Sequence, residues 1–178
     1  MAKKKTIRND LKVVALIGKA NTGKSLTMRN VIIEMLKHGA IVLYPKKYVG
    51  ISSAQLIREI IQTERTPKGE VSELTVILEI SNKKILITTY GDEWKGLEDK
   101  FKKNADLYVC ASHEVFVSKN NGNNLENVTR NGLLITIGRA YYKSSFKIDD
   151  KTINKQKALQ NEQADFIRKE IYDNLNNL

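Results

Sequence analysis

Gly18-Lys19-Ala20-Asn21-Thr22-Gly23-Lys24-Ser25 stands between the apolar run Val13 to Ile17 and the helix-patterned stretch Leu26 to Lys37. The order of apolar run, glycine-bounded turn and amphipathic stretch decides how the rest of the chain is read. Gly18 lets the backbone leave a strand on a tight bend, and Gly23 admits dihedrals and a close ligand approach that a Cβ would obstruct. Successive N–H groups in such a turn face inward toward an anion, and the positive end of the following helix adds to the attraction.

Working outward, Lys12 to Ile17 is almost continuously apolar and ends in glycine, the pattern of a buried parallel strand. Leu26, Met28, Val31, Ile32, Ile33, Met35 and Leu36 supply the apolar positions of a helix that stops at His38-Gly39. Ala40 to Tyr44 reads as a short strand closed by Pro45. Ser52 reads as the N-cap of a helix carrying Leu56, Ile57, Ile60 and Ile61 and ending near Thr66-Pro67. Leu74 to Ile80 and Lys84 to Thr89 form a predicted hairpin around Ser81-Asn82-Lys83.

A short helix starting near Asp92 leads to a strand at Leu107 to Ala111. Ser118 to Asn127 is polar and Asn-rich, hence a predicted mobile loop, and Leu133 to Ile137 is a predicted last strand ending in Gly138-Arg139. From about Thr152 onward an amphipathic helix offers Ala158, Ala164, Phe166, Ile167, Ile171 and Leu175 for burial. The expected fold is α/β: a three-layer αβα sandwich with a mainly parallel sheet, right-handed crossovers and one hairpin at an edge. Residues 1–10 read as a flexible basic arm and 11–178 as one domain.

The 178 residues suffice for a sizeable core, and an apolar fraction of 41% argues against global disorder. The single cysteine, Cys110, excludes an intrachain disulfide and fits a reducing compartment. No apolar stretch approaches the roughly 20 residues of a membrane span, so a cytoplasmic protein without a membrane partner is expected. A net charge of +10 invites a nucleic-acid partner. The lysines are scattered, however, as at Lys46 and Lys47, Lys83 and Lys84, and Lys102 and Lys103, and read mainly as solvated faces.

Given the eight residues of the turn in their setting, the chain resembles the P-loop NTPase superfamily of Walker A type. The match lies in the motif from Leu11 to about Lys37 and is architectural as far as Arg139; no subfamily is identified. The resemblance implies binding of ATP or GTP with magnesium, usually with hydrolysis or transfer of the terminal phosphoryl group. It implies a triphosphate cradle of Gly18, Asn21, Thr22, Gly23, Lys24, Ser25 and Leu26, with the Lys24 ammonium between the β and γ phosphates and the Ser25 hydroxyl on the metal.

It also implies a metal-holding acid at the carboxyl end of a neighbouring strand. Asp92 is the candidate, delivered by the run Lys84 to Thr89, although Thr88 to Gly91 intervene where the family pattern places Asp directly. Asp92 can equally cap the next helix. Glu93 is the candidate general base, or a first-turn acid complementing the helix dipole. Glu114, beside His113, is the rival acid. Arg139, with Arg130 second, is the candidate for countering charge on the transferring phosphoryl group.

The hairpin followed by Tyr90-Gly91-Asp92 is similar in layout to small GTPases. Ser118-Lys119-Asn120-Asn121, however, lacks the Asp of their guanine-reading Asn-Lys-x-Asp motif, which favours ATP. Three functions follow from the resemblance: a magnesium-dependent ATPase, a kinase for a nucleotide or small molecule with the Asn-rich loop as lid, and a nucleotide-gated module binding nucleic acid or a protein on the C-terminal helix.

Overall fold

A computed structural model describes residues 11–18, 23–69, 71–91, 93–113, 125 and 150–176. In chain order they form β1 (Val13–Gly18), α1 (Lys24–Lys37), β2 (Ile41–Tyr44), a 3-10 turn (Lys46–Tyr48), α2 (Ser53–Gln62), β3 (Thr75–Ile80), β4 (Lys83–Thr88), α3 (Trp94–Phe101), β5 (Leu107–His113) and α4 (Asp150–Asn176). The protein is α/β, with one mixed sheet of 5 strands in the order β1-β5-β4-β3-β2. β5 runs parallel to both β1 and β4, whereas β3 is antiparallel to β4 and to β2. Every strand but β3 therefore points the same way.

Alternation of side chains divides the sheet's apolar residues between two cores. Val14, Leu16, Ile85, Ile87, Leu107 and Val109 face one core with residues of α1, α2 and α4. Val13, Ala15, Ile17, Leu86, Tyr108 and Cys110 face the other with Leu97 and Phe101 of α3. β1 is buried along its whole length because helices cover both of its faces, which is why its sequence is a solid apolar run rather than an alternating one.

Local signals in the sequence set the element ends. α1 closes in a Schellman motif: Ala40 N donates to Met35 O at 3.1 Å and Gly39 N to Leu36 O at 3.2 Å, with Ala40 and Met35 both in the core. Ser52 caps α2 by accepting from Gln55 N. At the β3–β4 turn Ser81 and Asn82 both take positive φ, the two-residue geometry whose twist suits a hairpin, and Lys83 already belongs to β4.

α2 ends at Gln62, short of the predicted Thr66, because its final carbonyls are drawn off by a side chain of α1. The Arg29 guanidinium, only 3% exposed, donates to Ile60 O at 2.8 Å, Thr63 O at 3.1 Å and Ser72 O at 2.8 Å. It also bonds the Ser72 hydroxyl. Burial lowers the Arg29 pKa from its usual value, opposed by the charges of Glu64 and Tyr48. One cation thus closes a helix and pins the following loop.

Three expectations are corrected. The antiparallel strand is not at an edge: β3 lies between β4 and β2, and β2 is the outer strand. The strand leading to Asp92 does not adjoin β1, because β5 is inserted between them. The C-terminal helix buries only part of its predicted apolar face: Ala164, Ile167, Ile171 and Leu175 lie in the core that α1 shares. Its phase also differs, since Ala158 and Phe166 are exposed and Gln160 turns inward.

The basic arm and the strand at 133–137 lie outside the described residues. So does the Asn-rich stretch except for Leu125, which is buried in the second core rather than mobile there. No helix among the described residues is long and apolar enough to cross a membrane.

Candidate functional site

The parallel strands end together where α1 begins. Gly18, last in β1, is paired in register with His113, last in β5. The exit from β4 is held against the same end of β5: His113 N donates to Gly91 O at 3.1 Å. A Cβ on Gly91 would lie 2.1 Å from Ala111 O, so only glycine permits this approach. The three strand ends form one shelf, and such a shelf at the carboxyl edge of parallel strands is where open α/β sheets bind ligands.

α1 starts on this shelf with Gly23 as its N-cap, at φ 83° and ψ 5°. This left-handed conformation costs a residue with a Cβ about 1–2 kcal/mol and glycine nothing. Thr27 N donates to Gly23 O at 3.0 Å, closing the first turn. The N–H groups of that turn otherwise lack intrahelical acceptors, and no acidic side chain occupies it. A positive helix end whose first turn carries no acid attracts anions.

Lys24, the first helical residue, is only 6% exposed. Ser25 is next, and its hydroxyl donates to Thr89 O at 3.2 Å. Thr89 is itself fixed: its N–H donates to Leu74 O at 2.9 Å, and its hydroxyl accepts from Leu74 N at 2.8 Å. The end of the glycine-bounded turn is therefore tied to the chain just three positions before Asp92. A hydroxyl that donates one bond keeps lone pairs, so Ser25 can retain Thr89 and still offer oxygen to a hard cation.

Gly18, Gly23, Lys24, Ser25 and Leu26 are thus gathered at one place, from the tip of β1 to the first turn of α1. Asn21, Thr22, Asp92, Glu114, Arg130 and Arg139 lie outside the described residues. Glu93 sits at the N-cap of α3, a position expected for Asp92, and makes no side-chain cap there. Its exposed carboxylate accepts from the Tyr90 hydroxyl at 3.2 Å instead of complementing a helix end.

Cys110, fully buried in β5, has its thiol pushed up to about 12 by desolvation and stays protonated, which removes it as a nucleophile.

Two participants escaped the sequence reading. The Thr89 carbonyl is a backbone acceptor, and no residue type announces one. Gln160 of α4 is 7% exposed and reaches the N-terminus of α1: its Nε2 lies 3.0 Å from where a Gly23 Cβ would stand. Its signal was phase. Gln160 precedes Ala164, Ile167 and Ile171 by 4, 7 and 11 positions, the spacing of the inward face. Compared with family models, with curated proteins and with solved structures, the chain matches none of them.

Proposed function

We propose that this chain binds a nucleoside triphosphate, ATP in preference to GTP, with magnesium at the β1–α1 turn, and that it hydrolyses the terminal phosphate as a P-loop NTPase. One observation carries the reading. The Ser25 hydroxyl of the GxxxxGKS turn is bonded to Thr89 O at 3.2 Å, which joins the proposed phosphate cradle to the segment bearing the candidate acid. Buried Lys24 and left-handed Gly23 beside it supply the charge and the backbone shape.

The division of labour follows from the side chains. The backbone amides from Gly23 onward bind phosphate oxygens, and Lys24 neutralises charge that grows as the terminal phosphoryl group departs. Ser25 and Asp92 would hold magnesium, which supplies further charge neutralisation when bound. Glu93, exposed at the start of α3, is the group available to orient water, and Arg139 the candidate for meeting equatorial oxygens.

Calorimetric titration with ATP, GTP and their diphosphates, with and without magnesium, tests the proposal together with phosphate release. ATP should bind more tightly with magnesium. Lys24→Ala should abolish binding and turnover while the thermal midpoint is kept. Heat from no purine triphosphate, or turnover that survives Lys24→Ala, would overturn it.

A further inference from the structure

Gln160 belongs to the last helix, far along the chain from the glycine-bounded turn, yet its carboxamide lies against Gly23. It is over nine-tenths buried and makes no hydrogen bond among the described residues. The inward positions that follow it, Ala164, Ile167 and Ile171, are apolar and packed in the core. A glutamine this deeply buried that spends its carboxamide on no protein partner keeps its donors and acceptor available to whatever enters beside it. This one faces the positive end of α1 just where the chain has dispensed with a Cβ.

The neighbouring polar residues of α4 do have partners on α1: Asn30 Nδ2 donates to Asn161 Oδ1 at 3.0 Å, and Thr27 Oγ1 donates to Gln163 Oε1 at 3.5 Å. These contacts hold α4 beside the first turns of α1. Gln160 is thereby presented to the turn while keeping its own hydrogen-bonding capacity.

Resting on the nucleotide reading above, we propose that Gln160 is a ligand-binding residue whose carboxamide NH₂ donates to the phosphate chain beside Gly23, so that α4 forms one wall of the anion site. A neutral amide suits this position, since it adds a donor with no second cation beside Lys24. A carboxylate of the same shape would repel the ligand.

The test is titration of the full chain with magnesium ATP and, separately, with magnesium tripolyphosphate, which has the phosphates without base or ribose. Gln160→Ala should weaken both ligands about 3- to 10-fold, the range of one ordinary hydrogen bond lost. The isosteric Gln160→Glu should weaken both more strongly, about 10-fold or beyond, through repulsion near the phosphates. Thermal midpoints without ligand should stay close to that of the parent. If Gln160→Glu fails to fold, Gln160→Asn withdraws the same amide by one methylene and should reproduce the loss seen with Ala.

Unchanged affinity in these variants, with Lys24→Ala still abolishing binding, would make Gln160 a packing residue and leave the nucleotide reading intact. Weakening of ATP alone would move the contact to base or ribose and overturn the phosphate assignment. If the parent takes up neither ligand, the nucleotide reading falls and this proposal with it.

Discussion

The two halves of α1 are equally buried and chemically opposite. Lys24, Thr27 and Arg29 are 6%, 0% and 3% exposed, as deep as Val31, Ile32, Met35 and Leu36 at 0%, 0%, 0% and 2%. The second half gains stability simply by leaving water, so any well-shaped apolar contact serves it. In the first half, burial is unfavourable until each polar group finds a specific partner. Arg29 finds carbonyls of α2 and its loop. Ser25 finds Thr89 O, and Lys24 lies buried beside Gly23 at the shelf of strand ends. Depth of burial alone does not separate scaffold from site; the chemistry of what is buried does.

The largest effect tests the apolar half. Ile32→Ala leaves a cavity in the first core, to which Met28, Met35 and Leu56 also belong, and should cost about 2–5 kcal/mol in urea unfolding. Its triphosphate affinity per folded molecule should match the parent. A changed affinity would break the separation of the halves.

Arg29→Met is next, at about 2–3 kcal/mol, because it leaves the carbonyls of Ile60, Thr63 and Ser72 without their donor. This variant asks whether polar burial in the first half is wholly dedicated to ligand. Arg29 points away to α2, so stability should fall while affinity holds once the protein is folded. Gly23→Ala should cost less, about 1–2 kcal/mol for a Cβ at φ 83°, or roughly 2–8 °C in thermal midpoint. Unlike the two before it, this change should also weaken triphosphate binding, since the new methyl would stand 3.0 Å from Gln160 Nε2.

The same contrast explains how much could be read in advance. β1, α1, the hairpin and α4 announced themselves because apolar periodicity and terminating residues such as Gly39 are local signals. Strand order was not legible. Whether β5 enters between β1 and β4 depends on which apolar faces match across distant segments, and both β4 and β5 carry similar runs. The left-handed residue that opens α1 was legible as Gly23 because its requirement is steric and local. Thr89 and Gln160 were not: one acts through its carbonyl, and the other is of a residue type more often found at the surface. A site built across distant segments shows in sequence only the part that needs unusual backbone.

Thr27 sits within the first half, between Ser25 and Arg29, and offers the smallest and sharpest test. It is fully buried, yet its one long hydrogen bond, 3.5 Å to Gln163, is near the limit at which such contacts stabilise. Thr27→Val keeps the branched shape at nearly equal helix propensity and removes only the hydroxyl. If Thr27 belongs with the packing residues after it, stability should change by less than about 1 kcal/mol and affinity not at all. A larger loss of stability would show that α4 is held by polar contacts as well as by Ala164 and Ile167. A loss of affinity at constant stability would extend the binding half of α1 by a full turn, because displacing α4 there would also move Gln160 away from Gly23.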